Sequence, residues 1–449
     1  MHVPSAPISY AVELTWDCQH ACPGCANVPR TQRDNVLHDW KGLLDAIAPP
    51  GNRRQYAELI RLTGGEPTLH PEFADILRYV DSFGIPHATF TNGLWQQPDR
   101  FVETWQACRH FVGLLVSVHG STAGQHRVFT HADASGAVPT AFDSTCANIR
   151  QAAKAGLDVF TNTVLTRANW DRIEEMVALS QDLGAGCAVF NRYLGKPHAL
   201  EPEDRQLRQA IETVERLQAA GAACHLGNCI PPCFCPNSSP GANEAIEHCV
   251  IAPDGAVRPD SLTAYTFGNL FELPISAIWH SEQAEWYRRQ IPAACGQCVE
   301  LPRCRGGCKA VAVEHHLTGD RVMTEPILEA SPKTLEIDQS WIPVPHFHLR
   351  EETFGYLLCR YNWSVPVSQA AKPLLDWLDG RHTVAQFHQQ FGDDALTFIG
   401  HLYQEGCIEL TVDPSVPHVF SPQRRRDAEK TQAEKRLFSA PSRLCGEKT

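Results

Sequence analysis

The chain has little that would take it into a membrane, out of the cell or onto nucleic acid. No apolar run in its 449 residues approaches the roughly 20 needed to cross a bilayer. The segment from Met1 to Ser9 shows no basic stretch followed by an apolar one, so we expect no secretory signal. The net charge of −12 argues against nucleic acid, because phosphate binding favours a basic surface. We therefore expect a cytoplasmic protein without membrane or nucleic-acid partners.

Cysteine, by contrast, is abundant, with 18 residues. A secreted disulfide-rich protein is usually shorter, whereas dense cysteine in a reducing compartment more often serves metal or redox chemistry. Three cysteines lie close together near the N-terminus, and nine more fall between Cys224 and Cys308. Structural use alone would not cluster them in this way, so the pattern indicates metal or redox chemistry.

Strand-like and helix-like segments alternate from residue 8 to about residue 200. The helix-like segments repeat apolar residues at helical spacing, and the strand-like segments end in glycine or polar residues. About six strand–helix units fit, which predicts a parallel sheet with helices packed on it. Barrel-type sheets carry their chemistry on the loops that follow the strands, so we expect the functional residues there.

Two changes of composition divide the rest of the chain. Cysteine, proline and glycine become frequent in residues 221–330, which predicts a loop-rich metal domain. In residues 345–412 a strand hairpin, three helices and a closing strand predict a small winged-helix-like domain. The charged tail, residues 413–449, is expected to be disordered. The predicted fold is thus α/β, with a barrel domain at 8–220 and two smaller domains after it.

The first cysteine group, Cys18, Cys22 and Cys25, directly follows the first predicted strand with the spacing Cys-x3-Cys-x2-Cys. Three thiolates on one short loop can hold three corners of a [4Fe–4S] cube. The iron left open can bind a small molecule through nitrogen and oxygen, both of which S-adenosylmethionine (SAM) offers. A zinc site or ordinary packing is the alternative.

Polar residues also follow the later predicted strands. The segment Gly64-Gly65-Glu66-Pro67 ends the second, where glycines let the backbone approach a ligand and Glu66 can accept an ammonium group. An ordinary glycine turn is the alternative. The other residues that we expect around the same opening are Asn92, Ser117, His119, Asn162, Thr163 and Arg192.

The cysteine triad, the Gly-Gly-Glu-Pro motif and the strand–helix order together resemble the radical SAM superfamily over about residues 8–320. The resemblance implies a partial (β/α)6 barrel and an oxygen-sensitive cluster on the triad. It also implies reductive cleavage of SAM to a 5′-deoxyadenosyl radical that takes hydrogen from a substrate. The SAM contacts that it implies are Gly64, Gly65 and Glu66 on the methionine amino group, with Ser117 and Asn162 as further contacts. Gly24 departs from the family, in which an aromatic residue usually precedes the last cysteine.

A second cysteine group has the spacing Cys-x2-Cys-x5-Cys-x3-Cys, a strong metal signal for which zinc is the alternative. With its surroundings it resembles the SPASM extension of peptide-modifying radical SAM enzymes, which implies up to two auxiliary iron–sulfur clusters. Asp260, Ala242 and Leu328 stand at or near positions where that pattern expects cysteine. We expect one auxiliary cluster rather than two. The predicted ligands are Cys229, Cys233, Cys249, Asp260, Cys295, Cys298, Cys304 and Cys308.

Residues 354–358 and 375–384 resemble the PqqD-like peptide chaperone of pyrroloquinoline quinone biosynthesis, also called the RiPP recognition element. That fold binds a leader peptide as an added edge strand. A packing or oligomerisation domain is one alternative. A winged helix on DNA is another, which the acidic chain disfavours.

These resemblances imply an enzyme that modifies a ribosomally made precursor peptide, by a carbon–carbon or thioether crosslink or by epimerisation. Residues 345–412 would hold the leader, and a reductant such as flavodoxin or ferredoxin would supply electrons. A tetrapyrrole, a quinone precursor or a protein such as a sulfatase is the alternative substrate. A non-catalytic peptide-delivery protein with structural clusters is the alternative from another class.

Overall fold

Strands and helices alternate through the N-terminal part of the chain, as the sequence predicts. The computed structural model describes residues 2–25, 35–51, 53–132, 139–196, 198–236, 245–329, 337–361 and 363–412. The strands are β1 (Ser9–Glu13), β2 (Leu59–Thr63), β3 (His87–Thr91), β4 (Phe111–Ser117), β5 (Val159–Leu165), β6 (Cys187–Arg192) and β7 (Cys224–Leu226). The helices are α1 (Trp40–Ile47), α2 (Phe73–Asp81), α3 (Pro98–Ala107), α4 (Ala123–Thr130), α5 (Ala141–Lys154), α6 (Ile173–Asp182) and α7 (Asp204–Ala219). The predicted tail and Ala242 lie outside the described residues.

The seven strands run parallel and lie side by side in chain order, from β1 to β7. On the other side of β1 the sheet continues through β8 (His248–Ile251), β9 (Ala256–Arg258) and β10 (Gly268–Asn269). Strand β8 is parallel to β1, whereas β9 is antiparallel to both of its neighbours, β8 and β10. Among the described strands, β7 and β10 are the two edges, so the sheet is an open barrel. The predicted α/β fold with a partial barrel is confirmed, and β7 lies just beyond residue 220, where we expected that domain to end.

Local sequence explains where the helices begin and which face they bury. In α5, Thr140 accepts a hydrogen bond from the Asp143 amide while the Asp143 carboxylate accepts one from the Thr140 amide, a reciprocal cap. The predicted apolar face of α2, with Phe73 and Val80 at its ends, is buried against the sheet. This packing fixes the strands, so that their carboxyl ends meet at one edge of the barrel.

The cysteine-rich extension packs on the same sheet and shares the core of the barrel. Its helices are α8 (Ile275–Trp279), α9 (Glu282–Arg288), α10 (Leu301–Cys304) and α11 (Lys309–Glu314). Trp279 and Tyr287 are fully buried in one apolar cluster with the β1 side chains Tyr10 and Val12. The extension is therefore held to the barrel by a common hydrophobic core and not only by a linker.

The C-terminal region forms a compact unit with two small sheets. Its strands are β11 (Ile342–Pro345), β12 (His348–Glu352), β13 (Gly355–Arg360), β14 (Trp363–Ser368) and β15 (Ile408–Thr411), and its helices are α12 (Lys372–Trp377), α13 (Val384–Phe391) and α14 (Asp393–Gln404). Strands β12, β13 and β14 form an antiparallel sheet, and β11 pairs with β15. The predicted hairpin therefore has a third strand, and the closing strand belongs to a separate pair.

This C-terminal unit forms hydrogen bonds with residues 5–7, near the start of the chain. The Arg350 guanidinium donates to the carbonyls of Ala6 and Pro7, at 2.9 and 3.4 Å. The Ser5 amide donates to the Glu352 carboxylate at 2.9 Å. Residues 5–7 lead directly into β1, so the last domain is anchored beside the first strand. In the described ranges, no helix combines the length and apolarity that crossing a membrane requires.

Candidate iron–sulfur and SAM site

Cys18, Cys22 and Cys25 lie on the loop that leaves β1 at the carboxyl edge of the sheet. Cys18 and Cys25 are exposed and Cys22 is half-buried. Burial raises the pKa of the Cys22 thiol, and the nearby Cys25 and Cys18 thiolates raise it further. Although part of Cys18 is exposed, the protein atoms around its sulfur reduce its solvation and raise its pKa to about 11. Three thiols on one loop, close enough for their charges to interact, can together serve as ligands of one metal cluster.

Among the described residues, one triplet of His, Cys, Asp or Glu brings its ligand atoms within 4.8 Å of one another, and it is Asp81, His87 and Cys108. Side chains this close together could share a single metal ion.

The triplet at Asp81 has a structural explanation. The Asp81 carboxylate accepts hydrogen bonds from the backbone amides of Arg109 and His110 and from His87 Nε2. These bonds outweigh the burial of the group and lower its pKa to about 2. Asp81 therefore fixes the loop between α3 and β4, at the end of the strands opposite the cysteine triad.

Neighbouring elements hold the cysteine loop in place. The Cys25 amide donates to the Cys22 carbonyl at 3.0 Å, which turns the chain between these two ligands. The Ala21 amide donates to the carbonyl of Thr130, the last residue of α4, at 3.0 Å. The Asn92 side-chain amide lies 3.6 Å from Cys18 Sγ. Asn92, which we predicted as a SAM contact, thus lies beside the first cluster ligand.

The Gly-Gly-Glu-Pro segment packs against the residues that lead into the triad. A Cβ on Gly65 would lie 2.3 Å from the Asp17 carbonyl, and Gly64, at a φ of +143°, would meet the Thr15 carbonyl at the same distance. The Gly65 amide donates to Thr15 O at 2.7 Å. Only glycine permits this contact, so the two glycines bring the second loop against the first.

Glu66 is fully buried, and its carboxylate is already occupied. It accepts hydrogen bonds from the Thr91 hydroxyl at 2.8 Å, from the Asn92 amide at 2.6 Å and from the Thr68 hydroxyl at 2.6 Å. Burial raises its pKa, while these bonds act in the opposite direction. The side chain therefore ties the ends of β2 and β3 together, and both of its oxygens already accept hydrogen bonds from this chain. Pro67 begins the 3-10 helix that Glu66 caps.

Ser117 and Asn162 are brought together by the sheet. They are paired neighbours at the end of β4 and within β5, and both are half-buried. The Asn191 side chain on β6 donates to the Asn162 side-chain oxygen. Sequence reasoning missed Asn191, although its position near the end of β6 matched the rule used for the other strands. Three polar side chains thus line neighbouring strands on this side of the sheet.

Comparison with known families agrees with this geometry. Residues 12–180 match the Radical SAM superfamily, and residues 244–305 match SPASM, an iron–sulfur cluster-binding domain. The chain carries a radical SAM domain followed by a SPASM domain. The first binds a [4Fe–4S] cluster together with SAM, and the second binds auxiliary iron–sulfur.

Relatives of the whole two-domain unit are also found. The PqqA peptide cyclase of Gluconobacter oxydans is 26% identical, over 76% of this chain and 95% of the relative. The AdoMet-dependent heme synthase of Methanosarcina barkeri is 26% identical, over 72% of this chain and 96% of the relative. Streptococcus suis SuiB, solved with its precursor peptide SuiA, superposes with a TM-score of 0.58 at 16% identity, over 71% of this chain and 76% of SuiB. SuiB shows the shared fold.

Arg192 requires a correction, because its side chain is not available to SAM. It is buried at the end of β6 and forms an ion pair with the buried carboxylate of Asp320. Its Nε donates to the Cys229 carbonyl at 2.6 Å. A long polar residue at a strand end matched the pattern of the radical SAM contacts, but its partners come from the later part of the chain. Arg192 therefore joins the radical SAM domain to the cysteine-rich extension.

The departure at Gly24 has a structural counterpart in Tyr193. A Cβ on Gly24 would lie 2.5 Å from Cε2 of the Tyr193 ring, which is buried directly after β6. The Tyr193 ring thus fills the space beside Gly24, the position at which the sequence pattern led us to expect an aromatic residue. Burial raises the pKa of the Tyr193 hydroxyl to about 12, so it stays neutral.

Exchanging the two positions should test this replacement. Gly24→Phe is expected to weaken SAM binding at least tenfold, because overpacking a filled site costs about 1–3 kcal/mol. The exchange variant Gly24→Phe/Tyr193→Ala should recover most of the affinity. Anaerobic calorimetric titration of reconstituted protein with SAM measures both. Normal SAM binding by Gly24→Phe alone would show that Tyr193 does not fill this space.

Three histidine rings contact one another at the cysteine loop, with His20 edge-on and His119 stacked against His126. The rings of His20 and His119 lie 5.6 and 5.9 Å from that of His126. His126 Nδ1 accepts from the His119 amide, and His119 Nδ1 accepts from the Val164 amide. Burial lowers the pKa of His119 and that of His126, the latter to about 3. His119, expected at the opening, is thus a neutral packing residue in the floor of the radical SAM site.

The structure separates the predicted auxiliary ligands of the SPASM region. Four cysteines line one cavity of about 380 Å³, and they are Cys233, Cys295, Cys298 and Cys304. Cys249 is fully buried on β8 in the common hydrophobic core, which corrects its assignment as a ligand. Asp260 accepts from the Leu262 amide at 2.8 Å and lies beside Arg258 and Arg61, which corrects its assignment too.

Proposed function

We propose that this chain is a radical SAM maturase that modifies a ribosomally made precursor peptide. The observation that carries the proposal is the match to PqqA peptide cyclase over 95% of that protein's length, beside the matches of this chain to both domain families. SuiB, which shares the fold, has been solved with a precursor peptide. The modification would be a crosslink or an epimerisation. We place the enzyme in the cytoplasm, where a flavodoxin or ferredoxin would reduce it.

Some residues of the site would hold the cluster, and others would position SAM. Cys18, Cys22 and Cys25 would hold a [4Fe–4S] cluster, which would supply the electron for reductive cleavage of SAM and so make hydrogen abstraction from the peptide possible. Asn92 lies within reach of Cys18 Sγ, and Glu66 fixes Asn92 through its backbone amide. Ser117, Asn162 and Asn191 would present polar groups to the ribose and carboxylate of SAM. Peptide modification requires that these contacts fix the radical near one side chain.

The C-terminal unit would bind the leader as an added strand, as PqqD-like elements do. Its outer strand β14 is a poor template. The Ser364 amide faces outward and donates to the Glu247 carboxylate at 3.3 Å. Backbone N–H groups point alternately to the two sides of a strand, so the backbone nitrogen of residue 366 faces outward like that of Ser364. Pro366 has no N–H to donate there. Two successive outward positions of β14 therefore lack a free donor.

The other outer strand, β12, is the better template. By the same alternation the backbone groups of Leu349 and Glu351 point away from β13. Both residues are exposed, and the Leu349 side chain adds apolar surface for a peptide. The backbone groups of Arg350 and Glu352 face β13, while the side chains of these two residues bind residues 5–7 and so hold the strand in place. A leader on β12 would thus lie beside the segment that enters β1.

Proline substitutions distinguish the two edges. Leu349→Pro removes an outward donor of β12 and should weaken binding of a fluorescent leader peptide at least tenfold, as expected for one lost strand hydrogen bond and local distortion. The matched control is Ser368→Pro, which removes an outward donor of β14 at a φ of −71° that proline tolerates. Fluorescence anisotropy measures both. Weaker binding by the Ser368 variant alone would place the leader on β14.

The test of the function itself is anaerobic mass spectrometry. Reconstituted protein would be incubated with SAM, a reductant and each short peptide encoded beside its gene. Loss of two hydrogens from a peptide indicates a crosslink, and deuterium uptake from heavy water without other change indicates epimerisation. Formation of 5′-deoxyadenosine with every peptide unaltered by both criteria would contradict the proposal.

A tetrapyrrole substrate is the second candidate, because the AdoMet-dependent heme synthase of Methanosarcina barkeri matches at the same identity. That relative aligns with 72% of this chain. The third strand, three helices and closing strand of the C-terminal unit favour a peptide. Incubation with a tetrapyrrole precursor under the same conditions decides between them, since only one substrate should increase 5′-deoxyadenosine formation.

A further inference from the structure

Four cysteines from two separate segments converge on one cavity in the SPASM region. Cys295, Cys298 and Cys304 come from the Cys-x2-Cys-x5-Cys segment, and Cys233 comes from the loop that follows β7. Cys233 precedes residues 244–305, the part of the chain that matches the SPASM family. Its place in the cavity is therefore a property of this fold that the local cysteine spacing does not contain.

We propose that this cavity holds one auxiliary [4Fe–4S] cluster, with Cys233 as the ligand from outside the Cys-x2-Cys-x5-Cys segment. The family pattern supplies that ligand from beyond Cys308, where this chain has Leu328 and no cysteine until Cys359. The structure brings a cysteine to the same cluster from the opposite direction along the chain. With Cys233 in place of the ligand beyond Cys308, the cluster still has four thiolate ligands, the number that it requires.

Two of the four sulfurs have backbone donors or a cation close to them, which oppose the effect of burial on their thiols. The backbone amides of Gly306 and Gly307 donate to Cys304 Sγ, and both glycines have left-handed φ angles, +85° and +76°, that turn these amides toward it. The Lys309 ammonium, only 2% exposed, lies near enough to Cys295 to favour its thiolate. Backbone donors and a buried cation around cysteine sulfur are the usual protein contribution to an anionic cluster.

Cys233 is held in position by the segment that the family uses for its missing ligand. The Thr324 amide lies 3.4 Å from Cys233 Sγ, and the Thr324 hydroxyl donates to the Cys233 carbonyl at 2.6 Å. Thr324 lies four residues before Leu328. The chain beyond Cys308 therefore still reaches the cavity, but there it orients a ligand from elsewhere instead of supplying one.

The remaining cysteines do not fit a second cluster. Cys229 and Cys308 lie in an apolar cluster with Leu194, outside this cavity. The buried Arg192–Asp320 ion pair binds their backbones, because Arg192 donates to the Cys229 carbonyl and Asp320 accepts from the Cys308 amide. Cys249 and Asp260, as described above, lie in other surroundings. The surroundings of these cysteines therefore differ from the cavity that gathers Cys233, Cys295, Cys298 and Cys304, and we assign one auxiliary cluster.

Iron content tests the assignment without any substrate, so its outcome is independent of the proposed function. The radical SAM cluster is first removed by Cys18→Ala/Cys22→Ala/Cys25→Ala in the full chain. This background is expected to hold about four irons per chain after anaerobic reconstitution. Adding Cys233→Ala should lower iron and sulfide to three or fewer per chain, with the electron paramagnetic resonance signal of a three-iron cluster or none.

Two controls make the result specific. Cys235→Ala removes a buried cysteine two residues away that does not line the cavity, and Cys308→Ala removes the last cysteine of the motif. Both should keep about four irons. Cys233→Ser, which retains an oxygen ligand, should keep the cluster with altered Mössbauer parameters. Full iron in Cys233→Ala, loss of iron only in Cys308→Ala, eight irons in the background, or zinc in place of iron would each overturn the proposal.

Discussion

Cys22→Ala is expected to abolish formation of 5′-deoxyadenosine. Cys22 is the central thiol of the triad, and the charges of Cys18 and Cys25 both act on it. Without it the cluster has two protein ligands, and the electron that splits SAM is not delivered. The rate should fall by at least about 10⁴-fold, within the acceleration of 10⁶ or more that enzymes typically provide. Anaerobic incubation with dithionite and SAM, read by liquid chromatography, measures the product.

The matched control for this variant is Cys108→Ala. Cys108 follows α3, and its thiol donates to the Thr104 carbonyl at the far end of the strands. SAM cleavage should be unchanged in this control. Cleavage retained in Cys22→Ala would refute the assignment of the radical SAM cluster to the triad.

The largest loss of stability is expected from Asp320→Ala. The carboxylate is buried and neutralises the Arg192 guanidinium, which is also buried. Removing one partner of such a pair leaves an uncompensated charge in the interior and costs about 3–5 kcal/mol. The free energy of unfolding in urea, measured on apo protein under reducing conditions, should fall by that amount. The loss should appear in the transition that includes the barrel, because Arg192 ends β6.

Two comparisons isolate the buried charge as the cause. Glu174→Ala breaks an ion pair of the same type with Arg216, but both side chains there are more than 60% exposed, so the loss should be below about 1 kcal/mol. The double variant Arg192→Met/Asp320→Leu removes both charges and should regain most of the stability. Equal losses in Asp320→Ala and Glu174→Ala would show that burial of this pair is not what matters.

Much of the fold follows from short-range patterns. The alternation predicted for residues 8 to about 200 is found as strands β1 to β6 with helices between them. The third strand of the C-terminal sheet was missed, because Trp363–Ser368 contains Pro366, which disfavours a strand except at an edge. That edge position is a property of the sheet, which the residues alone do not show.

In the candidate site, too, the residues that could be predicted are those whose role depends on nearby sequence. The triad could be predicted because all three ligands lie on one loop, where spacing in sequence sets distance in space. Arg192, Cys249 and Asp260 were assigned wrongly because their roles depend on partners far along the chain. The pairing of Arg192 with Asp320 and the position of Cys233 among the later cysteines both require the tertiary fold.

The hydrogen bonds between the C-terminal unit and residues 5–7 affect when the first strand can finish folding during synthesis. Strand β1 lies between β2 and β8, and β8 leaves the ribosome roughly 10–50 s after β1 at about 5–20 residues per second. Arg350 and Glu352 follow later still. The first strand, and with it the loop that carries Cys18, therefore reaches its final surroundings only after residue 352 has left the ribosome. Iron insertion at that loop is thus expected after that point and not on a shorter nascent chain.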